Sequence, residues 1–345
     1  MIGIVGEPQV GKSSLFSLLM AGEGARRGKQ DHEVTVPVPD PRLDWLAEKY
    51  QPKKTTPAHL EFTDLGAEPR HAGADLNALL AVPELRNCDA LVLVLDRFSG
   101  SSEDTDDLES FELATAVTDL DLVDRRLEKL VADRKRGLKE AEAEIGIMEK
   151  LKAHLEDEQP LRTLDLGDDE LTRLRGYQFL SLKPVVVVAN VAEDRAGAEP
   201  EPALAAACER AGHALCALSA PIEAEIAGLD DEERREFMAD LGIDTPAVDR
   251  FIRTAYAGLG LISFLTSGPD ECRAWSVREG ATAPEAAGRI HTDLQRGFIR
   301  AEVVAFEDLE KYGDEKAAKA AGVYRLEGKD YVVHDGDVIE VRFSV

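Results

Sequence analysis

At 345 residues the chain is long enough for two or three domains that each bury a core, which excludes a single small module. Lys and Arg number 41 against 67 Asp and Glu, and the net charge of −26 excludes indiscriminate attraction to phosphate backbones, so any RNA contact must be a local patch. Cys88, Cys208, Cys216 and Cys272 show no CxxC spacing and no nearby His, which argues against a zinc site or a disulfide framework and predicts free thiols. The chain opens directly on a strand and has no long apolar run, so the expectation is a soluble, cytoplasmic protein with no membrane contact.

The first element is an apolar strand, Ile2 to Val5, that runs into Gly6-Glu7-Pro8-Gln9-Val10-Gly11-Lys12-Ser13-Ser14 and then a helix bearing Leu15, Phe16, Leu18 and Leu19. This is the GxxxxGK[ST] loop in its strand-before, helix-after setting. Gly6 and Gly11 let the backbone N–H groups turn inward on phosphate oxygens, and the helix N-terminus adds its positive end. Lys12 is placed to reach the β- and γ-phosphates, and the Ser13 hydroxyl to complete the coordination of Mg²⁺. Gly6, Gln9, Val10, Gly11, Lys12, Ser13 and Ser14 are therefore the candidate phosphate-binding residues of a nucleoside triphosphate site. A Gly-rich turn that merely contains Lys-Ser is the plain alternative, and the flanking strand and helix count against it.

Further along, Leu60 to Phe62 ahead of Asp64, Ala90 to Leu95, Val185 to Ala189 and Ala214 to Leu218 read as strands of a mostly parallel sheet covered on both faces. Asp64, at its strand end, is the candidate outer-sphere Mg²⁺ partner. Between Ala90–Leu95 and Val185–Ala189 lies a charged insert in which Leu120, Val123, Leu127, Leu130, Val131, Leu138, Ile145, Met148, Leu151 and Leu155 recur at helical spacing. The pattern predicts two long antiparallel helices about Gly137, a projecting coiled-coil-like arm with Arg134, Lys135, Arg136 and Lys139 near its tip. After Asp249 a helical stretch through Arg253 and Tyr256 gives way to Leu261–Thr266 and then to short strands with turn signals such as Asp335-Gly336-Asp337. This predicts a separate C-terminal module.

Several segments carry a resemblance. Glu271-Cys272-Arg273-Ala274-Trp275, Gly280 to Pro284, Ala287 to Asp293, Gly297 to Val303 and Leu326 to Tyr331 closely resemble the TGS domain of the YchF family, Obg-related P-loop NTPases of the translation-factor class. Val36 to Leu43 and Ile222 to Ile226 also resemble family signatures. The resemblance implies an α/β P-loop NTPase domain over 1–102 and 183–255, an inserted antiparallel coiled-coil arm over 103–182, and a ubiquitin-like (β-grasp) TGS domain over 256–345. It implies a ribosome or ribosomal RNA partner, Mg²⁺, and ATP in preference to GTP through NxxE in place of NKxD. Here the strand ends in Asn190-Val191-Ala192-Glu193, and Ser219-Ala220-Pro221 resembles the second base-side loop. Asn190, Val191, Glu193, Ser219 and Ala220 are thus the candidate base contacts. Asp in NKxD accepts two hydrogen bonds from guanine, and the longer Glu193 places its oxygens elsewhere.

The chain also departs from the family. Asp64-Leu65-Gly66-Ala67 replaces DxAGL, with the glycine out of register, and Lys29 to Thr35 replaces the longer first switch with its Mg²⁺-contacting Thr. Leu93 occupies the place of the family's hydrolytic His, and leucine cannot orient or deprotonate water. Lys12 remains as the candidate catalytic cation, with Asp64 and His71 as weaker catalytic candidates. The expectation is Mg-dependent nucleotide binding, ribosome association and weak or lost hydrolysis in a monomer. The alternatives are an active ATPase or GTPase, and an interaction module with a vestigial loop.

Overall fold

In the computed structural model every residue is described except 29, 68–74, 100–104, 137–139 and 345. The expected positions His71, Gly137, Leu138 and Lys139 lie outside the described residues. The strands are β1 (Ile2–Val5), β2 (Arg26–Arg27), β3 (Glu33–Pro37), β4 (Lys54–Thr56), β5 (His59–Thr63), β6 (Ala90–Arg97), β7 (Val185–Val191), β8 (Ala214–Leu218), β9 (Leu261–Thr266), β10 (Glu271–Arg278), β11 (Phe298–Ala305), β12 (Arg325–Glu327) and β13 (Asp337–Phe343). They form two sheets, ordered β2-β3-β5-β1-β6-β7-β8 and β12-β11-β13-β9-β10-β4. By contacts the chain divides into two compact units, Met1–Thr35 with Glu61–Thr254, and Val36–Leu60 with Ala255–Val345.

In the first unit β5, β1, β6, β7 and β8 run parallel, with Val5 opposite Leu93, Leu93 opposite Val187 and Asn190 opposite both Asp96 and Leu218. Every residue of β1 and β7 is buried. Covered parallel strands need apolar residues on both faces, which is why these segments read as continuous Val, Ile and Leu runs rather than alternating ones. The strand that follows the phosphate loop's neighbour thus extends further than its apolar core: β6 continues through Asp96 and Arg97, and β7 through Asn190 and Val191.

Two helices, Asp106–Lys135 and Glu140–Glu156, form an antiparallel hairpin. Ion pairs Arg134–Glu142, Arg126–Glu144 and Asp124–Lys152 join them with partners advancing in opposite directions. Val123, Leu130, Ile145, Met148, Leu151 and Leu155 share one buried cluster with Leu161, Leu174 and Phe179, while Leu120 and Leu127 pack at its margin. The hairpin root is polar inside. Asp119, fully buried, accepts hydrogen bonds from the N–H groups of Leu180 (3.1 Å) and Ser181 (2.7 Å), from the Ser181 hydroxyl (2.8 Å) and from the Arg86 guanidinium (3.0 Å). Lys183 Nζ donates to the carbonyls of Arg86 and Cys88 beside it. A carboxylate can be buried at this cost only when its lone pairs are all engaged.

The second unit groups residues 36–60 with the C-terminal segment because β4 pairs in parallel with β10 and Trp45 packs edge-on against Phe306 at 5.5 Å between centroids. A division of the sequence at residue 256 alone does not capture this. Phe264, Val277, Ala286, Ala287, Phe298, Ala301 and Val303 form its core, under a helix (Ala283–Ile290) opened by Thr282 and Glu285 in a capping box. All four cysteines are buried and free. Among the described residues no helix is long and apolar enough to cross a membrane.

The Asp119 cluster sets a test of this architecture. Asp119→Ala leaves the buried N–H groups of Leu180 and Ser181 without their acceptor and the half-buried Arg86 guanidinium without its carboxylate, and is expected to destabilise the protein by about 3 kcal/mol in denaturant unfolding, whereas Lys150→Ala, which breaks a more exposed pair with Glu170, should cost under about 1 kcal/mol.

Candidate nucleotide site

The loop after β1 is shaped by backbone angles that few residues adopt. Gly6 has φ +147° and Gly11 φ +103°. A Cβ on Gly6 would stand 2.5 Å from the Val94 carbonyl oxygen, and one on Gly11 would stand 2.4 Å from Asn190 Nδ2, so neither position admits a side chain. Gln9 lies between them in the left-handed region, at φ +67°, a conformation that costs a non-glycine residue stability and persists only under constraint. The helix Lys12–Ala21 starts at Gly11 without a side-chain cap, leaving its first N–H groups directed out of the helix end.

Lys12 folds back over the loop. Its Nζ donates to the carbonyls of Gly6 (2.8 Å) and Glu7 (2.6 Å). Burial lowers its pKa, opposed by the charges of Asp64 and Glu7. The ammonium thus sits on the loop's inner side at the end of its strand. Next to it, Ser13 Oγ donates to Asp64 Oδ2 at 3.3 Å, and Asp64 is fully buried. The Asp64 carboxylate also accepts the Gly66 N–H at 3.1 Å, so this glycine, in a 3₁₀ turn (Leu65–Ala67), is turned toward the carboxylate. One hydroxyl and one carboxylate in contact are the donor set that suits Mg²⁺, an ion that keeps several waters and takes its other ligands from phosphate.

Asn190 connects the loop to the opposite side of the site. Its Nδ2 donates to the Val10 carbonyl (3.0 Å) and its Oδ1 accepts the Ala220 N–H (3.2 Å). The amide therefore locks the phosphate loop to β7 and to the turn after β8 with one side chain. Around it Gln9, Gly11, Ser14, Phe98, Asn190, Val191, Ala192, Glu193, Asp194, Ala220 and Pro221 line a cavity of about 590 Å³. Glu193 opens a 3₁₀ turn (Glu193–Arg195) and is exposed, with Asp194, at the cavity wall. Of the sequence-derived candidates, Ser219 stands apart: it is buried, and its hydroxyl has no hydrogen-bond partner among the described residues. Val10 lines a second cavity of about 350 Å³ with Glu7, Pro8, Leu76 and Leu93, and Leu93 is only 1% exposed within the apolar core. Thr35 sits within β3, opposite Arg26 in β2.

Sequence reasoning missed Phe98 and Asp194 as cavity residues. Phe98 is 43% exposed at the end of β6. Nothing in the sequence marks an aromatic residue after an apolar strand as one that will be left in solvent, so no local signal could have found it.

A parallel sheet with a glycine-shaped phosphate loop at the C-terminal ends of its strands, and an asparagine clamp beside a base-sized cavity, defines a P-loop nucleotide-binding protein. The chain belongs to the YchF family. It is 43% identical to the ribosome-binding ATPase YchF of Haemophilus influenzae over 362 aligned positions, with 99% of each chain covered. It is 39% identical to the ribosome-binding ATPase YchF of Bacillus subtilis, and 37% identical to Obg-like ATPase 1 of Oryza sativa subsp. japonica, covering all of this chain and 92% of that one. Among solved structures, the Schizosaccharomyces pombe YchF GTPase aligns with a TM-score of 0.84 at 30% identity, covering 99% of this chain and 97% of that one. The family model YchF-GTPase_C, described as a protein of unknown function, matches residues 261–344. The alignment with the Haemophilus relative is longer than this chain, so that relative carries residues this chain lacks.

The clamp yields a direct test. Asn190→Ala strands the Val10 carbonyl and the Ala220 N–H, and is expected to destabilise the protein by about 1–3 kcal/mol. Hydrogen exchange should show the added opening concentrated in residues 6–13 and 219–221; protection unchanged there would remove the clamp from the account.

Proposed function

We propose that this protein binds Mg²⁺ and ATP at the loop after β1 and associates with the ribosome, with weak or lost hydrolysis. The observation that carries the reading is the Asn190 amide, which joins the phosphate loop to a cavity whose wall carries Glu193 at the fourth position of the NxxE motif. Lys12 and the first N–H groups of its helix are the phosphate-binding groups, with Gly6, Gln9, Val10, Gly11, Ser13 and Ser14 shaping the cradle. Ser13 and Asp64 would hold Mg²⁺, which supplies charge neutralisation between phosphate oxygens when bound. Phe98 offers an aromatic face to the base, and the carboxylates of Glu193 and Asp194 are acceptors suited to adenine's exocyclic amine.

Two features support weak hydrolysis. Leu93, packed in the core, presents no group that could orient water. The Gly66 N–H is engaged by the Asp64 carboxylate and so is not presented to a γ-phosphate. An active ATPase is the second reading, favoured by the names of the relatives. Within the proposed architecture residues 1–102 and 183–255 carry the NTPase domain, 103–182 a coiled-coil arm and 256–345 a TGS domain, with residues 36–60 packed into the last. The exposed Arg134, Lys135 and Arg136 at the end of the first arm helix are the proposed contact for ribosomal RNA, and a cytoplasmic location follows from that partner.

Calorimetry with Mg²⁺ should show ATP binding more tightly than GTP, and Lys12→Ala should weaken ATP by about 10- to 100-fold, the scale of a charged hydrogen bond. Binding of neither nucleotide at millimolar concentration would overturn the reading. Single-turnover assays with and without ribosomes are expected to show little hydrolysis; rapid turnover abolished by Lys12→Ala would establish the second reading. Changing Arg134, Lys135 and Arg136 together to Glu is expected to reduce co-sedimentation with ribosomes, and an unchanged pellet would exclude the arm tip as the contact.

A further inference from the structure

The residues flanking Phe98 are held by a network that the phosphate chemistry does not need. Asp96 faces Asn190 across the sheet, and its Oδ1 accepts the N–H groups of Phe98 (3.0 Å) and Ser99 (3.0 Å), while its Oδ2 accepts the Ser99 hydroxyl. Three donors on one carboxylate fix the turn that carries Phe98. Arg97, the next residue, is 6% exposed and bonds Asp107 in a two-pronged pair, Nη1 to Oδ2 at 2.7 Å and Nη2 to Oδ1 at 2.9 Å, with Nη1 also donating to the Asp96 carbonyl at 2.7 Å. Asp107 lies in the first turn of the long helix Asp106–Lys135, where the helix end favours its negative charge.

A two-pronged guanidinium–carboxylate pair fixes orientation as well as distance, and burying one is expensive unless the geometry is used. Phe98 itself is 43% exposed and lines the cavity of about 590 Å³, so core packing does not hold its ring in place. Its position comes instead from its neighbours: Asp96 on one side and, through Arg97, the long helix on the other.

We propose that Asp96 and the Arg97–Asp107 pair are positioning residues for base recognition, latching Phe98 at the base cavity to the first turn of the long helix. The inference rests on the proposed nucleotide site. Its consequence is a coupling between helix and base that bypasses the phosphates. A displacement of the helix start moves Arg97 and so the aromatic face, and by reciprocity a bound base resists that displacement. The triphosphate end is held by Lys12 and the loop; Asp96 and Asp107 line the cavity of about 350 Å³ with Glu7, Pro8 and Val10 but are not among the proposed phosphate-binding groups.

That separation provides the test. MgATP and Mg-tripolyphosphate are titrated calorimetrically into the full-length protein and its variants, since tripolyphosphate has no base. Phe98→Leu, Asp96→Ala and Asp107→Asn are each expected to weaken ATP by about tenfold, the scale of one aromatic–base stack, and to change tripolyphosphate by less than about twofold. A merely structural role would move both ligands together. Unchanged ATP affinity in Asp96→Ala, or a parallel loss of both ligands, overturns the latch. Should Asp107→Asn fail to fold, Asp96→Ala decides alone. Wild-type protein that binds tripolyphosphate as tightly as ATP overturns the latch and leaves the phosphate site standing, whereas wild-type protein that binds neither overturns the nucleotide site itself.

Discussion

The site depends on one amide. Asn190 donates to the Val10 carbonyl and accepts from the Ala220 N–H, holding together three chain segments that are distant in sequence. The glycine at position 11 is required twice over, by its φ of +103° and because any Cβ there would strike the amide. The same side chain sets the wall of the base cavity and the height of the phosphate loop. The parallel run of β1, β6, β7 and β8 makes this possible, because these strands deliver the loop, Phe98, Asn190 and Ala220 to the same end.

The long helix is tied to that sheet by carboxylates in place of apolar contacts alone. Asp107 meets Arg97 at the end of β6, and Asp119 gathers Arg86 and the N–H groups ahead of β7. Between them Glu112 pairs with Arg162 and with His213 at the head of β8, and although burial pushes its carboxyl up, these two partners hold it below the usual range. The Arg97–Asp107 pair sits at the end of β6 next to Phe98, while the other two lie at the starts of β7 and β8, whose far ends lead to Asn190 and Ala220. Together these pairs join the long helix to β6, to the segment ahead of β7 and to the head of β8.

The electrostatic setting explains how an acidic protein can accept a polyanion. The net charge of −26 repels phosphate at long range, and the loop answers with short-range groups: uncapped N–H dipoles and a partly desolvated Lys12, whose pKa burial lowers against the opposing charges of Asp64 and Glu7. Long-range repulsion is screened within about 8 Å at physiological salt, so the local donors dominate.

Much of this was readable in the chain. The phosphate loop follows from glycine and lysine spacing, because local backbone geometry dictates those residues. The parallel strands follow from unbroken apolar runs, and the helical hairpin from the 3.6-residue recurrence of Val123, Leu130, Ile145 and Leu151. What tertiary structure decided is every contact between segments far apart in sequence. No local pattern announces that Lys54–Thr56 pairs with Glu271–Arg273, that Gly66 turns its N–H onto Asp64, or that Phe98 stands at the mouth of a cavity. Periodicity reports which face of an element is buried; it carries no information about which distant element covers it, and that is settled only when the whole chain packs.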